Sequence, residues 1–139
     1  MTDAADEHAL RLAAKAELRR RMRAVRGAVP AEARRVRSGA LCARVLALEA
    51  YARAHVVAGY VAVRSEADPG EVLSQASRDG KLVALPRIDG GEIVFHRWHE
   101  GEPLAEGDLG IPEPSAMASV VAADEIDVVL VPALAVDAR

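Results

Sequence analysis

Residues 126–132 read Ile126-Asp127-Val128-Val129-Leu130-Val131-Pro132, and how this run is placed decides the fold. An aliphatic run interrupted by a single aspartate predicts a strand buried on both faces, as in a parallel sheet. Pro132 has no N–H to give to a ladder, so the strand is expected to end there. Ala133 to Asp137 then leave its carboxyl end, which is where open α/β sheets place their ligands. The sequence ends two residues beyond Asp137.

Working outward, the same architecture recurs upstream. His55 to Val63 reads as a strand, rich in valine, with Gly59 allowing a close backbone approach. Arg64, Ser65 and Glu66 form a polar loop at its carboxyl end. Asp68, Pro69 and Gly70 open a helix, Gly80 closes it, and Lys81 to Leu85 is a short buried strand ended by Pro86. Strand, helix, strand in about 30 residues is a βαβ unit. Asp89-Gly90-Gly91 is a tight turn into an antiparallel strand, Glu92 to Trp98, with Ile93, Phe95 and Arg97 on one side. Glu100 to Ser115 is a Gly- and Pro-rich loop without periodicity, a type more often functional than filler. Ala116 to Glu125 is weakly helical or irregular.

The front of the chain is helical. Leu10, Ala14, Leu18, Met22 and Val25 recur every three or four residues from His8 to Arg26, predicting a helix with one narrow buried stripe. Arg11, Lys15, Arg19, Arg23 and Arg26 form a parallel stripe about 100 degrees round it, and Glu17 and Arg21 make an i,i+4 pair. Gly27 ends this helix, and Pro30 opens a second one running to about Glu49. The expected fold class is therefore α/β. It is a single domain over residues 1–139 with a mostly parallel sheet flanked by helices, a Rossmann-like three-layer arrangement led by two basic helices.

Composition sets limits. With 51% hydrophobic residues the chain can bury a core. Net charge is −3, yet residues 1–53 hold twelve of the eighteen Lys and Arg. A basic front half points to an anionic partner. Cys42 is alone, which excludes an intrachain disulfide and a cysteine metal cage. No apolar run approaches the roughly 18 residues of a membrane span, and no signal-peptide core is visible, so a cytoplasmic protein is expected. His96 and His99 stand at i and i+3 on a strand, on opposite faces, so they are not expected to share a metal.

Three fragments in this order resemble the 5-formyltetrahydrofolate cyclo-ligase family, also called methenyltetrahydrofolate synthetase. They are Lys15-Ala16-Glu17-Leu18-Arg19, the Gly107 to Pro114 loop with its Gly-Ile-Pro-Glu-Pro core, and Ile126 to Asp137. Glu66 sits where that family keeps a folate-contacting glutamate, and Val61 where it has an apolar substrate contact. Ala133 replaces a usual glycine, Val136 a bulky aromatic, and Leu109 an aromatic that covers the pteridine. The family continues past this point into a Gly-rich phosphate loop, so relative to it the chain is expected to be incomplete at its C-terminus.

The resemblance implies ATP-dependent cyclisation of 5-formyltetrahydrofolate to 5,10-methenyltetrahydrofolate, with ATP and Mg2+ as cofactors and a small-molecule folate as the partner. Lys15 and Arg19 emerge on one helix face and suit a triphosphate, one as a point charge and one as a planar fork. Glu66 would accept hydrogen bonds from the pterin, and Asp137 would help to hold magnesium, which prefers carboxylate oxygen. Arg87 is read as surface charge, with an anionic folate tail as its other use. No catalytic residue is assigned. A monomer is favoured, with no membrane or nucleic-acid partner. The alternative is a non-catalytic remnant or binding module whose basic helices hold nucleotide or nucleic acid, which would bind with a steep salt dependence.

Overall fold

A computed structural model describes residues 4–136. Its helices are α1 (Ala4–Gly27), α2 (Ala31–Leu46), α3 (Glu49–Arg53) and α4 (Gly70–Arg78). Strands β1 (Val56–Ala58), β2 (Leu82–Asp89), β3 (Glu92–Trp98), β6 (Val120–Val121) and β7 (Val128–Val129) form one sheet in the order β6-β3-β2-β1-β7. β2, β1 and β7 run parallel, while β3 pairs antiparallel with β2 and β6 antiparallel with β3. β4 (Ala105–Glu106) and β5 (Pro112–Glu113) pair separately. The α/β class read from the sequence is the one found.

Valines and leucines on one sheet face give the helices something to cover. Val57, Val83 and Leu85 are buried against Cys42 of α2, Tyr51 of α3, and Val72, Leu73 and Ala76 of α4. Gly59 permits that packing: a Cβ there would lie 2.8 Å from Leu73 Cδ2, so α4 settles directly on the chain leaving β1. On the opposite face Ala58, Ala84 and Val121 are buried, packed against Phe95 and Ile126. Among the described residues this face is closed by strand and loop side chains.

Pro86 corrects two expectations at once. It does not end β2, which continues to Asp89 in register with β3. It ends the pairing of β1 instead, because Gly59 N–H still bonds Ala84 O and Pro86, two residues on and on the same edge, has no N–H to continue the ladder. The strand expected over His55 to Val63 is therefore only Val56–Ala58, and Val61 leaves it. The next donor on that open edge, Ile88 N–H, is taken by Glu113 Oε1 at 3.0 Å. The other Glu113 oxygen lies 3.3 Å from Arg87 Nη1, which also donates to Pro114 O at 3.2 Å. Arg87 is thus an internal partner rather than surface charge. The 100–115 loop, expected to be irregular, contains the β4–β5 hairpin latched to β2 through buried Glu113. Gly107 is required there, since any Cβ would overlap the Glu113 carboxylate.

Two apolar stripes behave differently from expectation. No residue of α1 is buried, and Leu10, Leu18 and Val25 are 67%, 54% and 61% exposed. The helix has the predicted period but runs along a cleft, touching the body near Met22 and Arg26, which are half-buried. The run 126–131, expected to be buried on both faces, is an edge strand paired only with β1. Ile126, Val128 and Leu130 are half-buried, while Val129 and Val131 are exposed. The segment 116–125 supplies β6 and a single 3-10 turn, Ala123–Glu125.

The aspartate inside that run has a structural task. Asp127 Oδ2 accepts the N–H groups of His55 at 2.8 Å and Val56 at 2.9 Å, tying the start of β7 to the start of β1. The Val56 N–H and then the His55 N–H hold its carboxyl below the ordinary value of 3.8. A lowered folded pKa contributes stability above the unfolded value that is lost as pH falls through the folded one. The acid limb of the stability curve, as pH falls below the ordinary carboxylate range, should therefore be shallower in Asp127→Asn than in wild type. Thermal unfolding at stepped pH checks this, and parallel limbs would remove Asp127 from the account.

Candidate functional site

The parallel strands β1 and β7 both point their carboxyl ends at one rim. From β1 comes the segment 59–66, and from β7 the segment 130–136. Helix α1 runs past this rim. Between them lies a cleft of about 530 Å³ whose helix wall is Lys15, Leu18, Arg19, Met22, Arg23 and Arg26. These residues follow i, i+3, i+4, i+7, i+8 and i+11, one helical face. The sheet wall is Val63, Arg64, Glu66 and Pro132–Ala135.

Charge is sorted on this helix. Arg11 pairs with Glu7, and Arg20 and Arg21 both pair with Glu17 at 2.8 Å. Among the described residues none of the cations lining the cleft, Lys15, Arg19, Arg23, Arg26 and Arg64, is in an ion pair. Glu66 is the one described carboxylate lining that cleft. A pocket edged by five cations and one acid favours a polyanion.

The turn carrying Glu66 is tightly specified. Glu66 N–H bonds Val63 O at 3.2 Å, and Glu66 Oε2 accepts Val63 N–H at 3.0 Å. Arg64, at the first central position, has φ 56°. For a residue with a β-carbon that conformation costs roughly 1–2 kcal/mol, and glycine is the usual occupant. Ser65 Oγ accepts Arg26 Nε–H at 3.1 Å, a polar link from α1 to the sheet.

A second cleft of about 440 Å³ opens on the other side of Glu66 and is apolar, lined by Leu41, Val45, Tyr60, Pro69 and the segment 129–136. Tyr60 Oη donates to Ala67 O at 2.5 Å. Burial, with the Glu66 charge adding to it, pushes the Tyr60 hydroxyl up and keeps it a donor. The two clefts share Glu66 and Pro132–Ala135. A polyanion-binding trough and an apolar slot thus meet at one carboxylate.

Of the residues singled out in the sequence, Lys15, Arg19 and Glu66 come together in the first cleft. Val61 is half-buried, packs against the core, and does not line that cleft or its apolar neighbour. Asp137, expected to help hold magnesium, lies outside the described residues. His96 is buried with Nδ1 2.9 Å from Ala118 O, and no group of three possible metal ligands occurs among the described residues. Arg64, Ser65 and Tyr60 were not picked out from the sequence. A cation two residues before Glu66 at a strand's carboxyl end was the available signal.

The model of the 5-formyltetrahydrofolate cyclo-ligase family matches residues 11–139. The NMR structure of Aquifex aeolicus 5,10-methenyltetrahydrofolate synthetase superposes with a TM-score of 0.76 at 27% identity, covering 84% of this chain. The chain spans 59% of the length of that structure. No curated protein matches the chain.

Proposed function

The chain belongs to the 5-formyltetrahydrofolate cyclo-ligase family, and from that premise we propose that it cyclises 5-formyltetrahydrofolate to 5,10-methenyltetrahydrofolate using ATP. The observation that carries this reading is the meeting of the cationic and apolar clefts at Glu66. ATP supplies the phosphoryl group that activates the formyl oxygen. Everything else is positioning and charge, the protein's usual share of phosphoryl transfer.

In this reading Lys15 and Arg19 hold the nucleotide phosphates, with Arg23 and Arg26 extending the positive wall. The apolar slot takes the flat pterin, and excluding water there strengthens each polar contact at its edge. Glu66, already held by Val63 N–H through Oε2, turns its remaining acceptor capacity to the pterin's N–H groups. Among the described residues Glu66 is the one carboxylate lining the two clefts and no group of three possible metal ligands is present, and Asp137 lies outside them. No step here depends on magnesium. A single α/β domain, a monomer in the cytoplasm, belongs to the same proposal. Among the described residues no helix is long and apolar enough to cross a membrane.

The test is direct. Methenyltetrahydrofolate should accumulate from 5-formyltetrahydrofolate when ATP is present and not when it is withheld. Product formation independent of ATP, or none with both substrates bound, contradicts the ligase reading.

A further inference from the structure

The helix wall accounts for one side of the nucleotide. The sheet wall has a cation too, and nothing above gives it a task. Arg64 lines the same cleft as Lys15 and Arg19 from the opposite side. Among the described residues it is the one non-glycine with positive φ, at 56°. It occupies the turn position where glycine is easiest. The turn is fixed on both flanks: Arg26 bonds Ser65 Oγ at 3.1 Å, and Glu66 bonds Val63 through both its backbone N–H and its carboxylate. A backbone held in a sparse region by its surroundings directs its side chain. Here an exposed arginine lines a cleft whose other charged residues are Lys15, Arg19, Arg23, Arg26 and Glu66, and an arginine serving only as solvated surface charge needs no such conformation.

Resting on the ligase reading, we propose that Arg64 is a phosphate-contacting residue, the sheet-side jaw of a clamp whose helix-side jaw is Lys15 and Arg19. The ligand class is a linear polyphosphate, gripped on two sides rather than laid on a one-sided basic surface. A planar guanidinium can give two parallel N–H bonds to phosphate oxygens, which the Lys15 ammonium cannot. The left-handed turn is then retained for aim, at a cost in folding stability.

The proposal separates stability from binding. Arg64→Gly keeps the turn, relieves the strained φ and removes the cation, so its thermal midpoint should equal or exceed wild type. Its affinity for inorganic tripolyphosphate, a probe with neither adenine nor folate, should fall about tenfold or more. Arg64→Lys should lie between the two. Arg53→Ala, which removes the same charge from an exposed residue that pairs with Glu49 and lines neither cleft, should bind as wild type. Equal affinity in wild type and Arg64→Gly overturns the clamp, as does a loss in Arg53→Ala matching that in Arg64→Gly. Wild type that fails to bind tripolyphosphate overturns it as well. The ligase reading fails separately, through loss of 5-formyltetrahydrofolate binding or of ATP-dependent product.

Discussion

Lys15→Ala combined with Arg19→Ala should weaken ATP binding by about 10²–10⁴-fold while the thermal midpoint moves by no more than about 4 °C. Each side chain removed forfeits a charge-assisted contact worth about 1.5–3 kcal/mol, and each 1.4 kcal/mol is tenfold in affinity. Folding should hardly respond, because α1 has no buried residue and exposed substitutions usually stay within about 0.5 kcal/mol. Titration calorimetry with ATP beside a melting curve reads both quantities. An unchanged dissociation constant would place the phosphates elsewhere, and a large drop in midpoint would mean that α1 is part of the core.

The largest expected stability effect lies away from the clefts, at Glu113. The residue is 4% exposed, and its carboxylate caps the open edge of β2 through Ile88 N–H and faces Arg87. Glu113→Ala leaves the half-buried Ile88 N–H without its acceptor and the Arg87 guanidinium with Pro114 O but no counter-charge, and should cost about 2–4 kcal/mol. Glu113→Gln keeps an acceptor for Ile88 and should recover roughly half of that. Urea unfolding should show a lower midpoint with an unchanged slope. A midpoint equal to wild type would mean that the β4–β5 hairpin stands without the latch.

Much of this was legible in the residues. The helical stripe of cations, the βαβ order, the Asp89-Gly90-Gly91 turn and the rim at the carboxyl ends of two parallel strands all follow from local periodicity and turn chemistry. What was not legible depended on partners distant in sequence. Pro86 reads as a strand end until β1 is seen to stop beside it. The apolar stripe of α1 reads as buried until the helix is seen lining a cleft. The run 126–131 has the composition of a central strand, yet neighbours decide whether a strand is central or at an edge. Arg87 reads as surface charge and Glu113 as part of an irregular loop, because the bond from Ile88 to Glu113 joins residues 25 apart. In the site, Glu66 and the Lys15–Arg19 pair were visible through spacing and resemblance. Arg64 was not, since its distinguishing feature is a backbone angle.

Chemical-shift mapping on isotope-labelled protein tests the central claim most directly, namely that polyphosphate and folate occupy adjoining clefts that share Glu66. Tripolyphosphate should perturb the amides of Lys15, Arg19 and Arg64, whereas 5-formyltetrahydrofolate should perturb Leu41, Tyr60 and the 129–136 segment. Both should shift Glu66. If the two ligands perturb separate surfaces with Glu66 unmoved by either, the joined-cleft account is wrong.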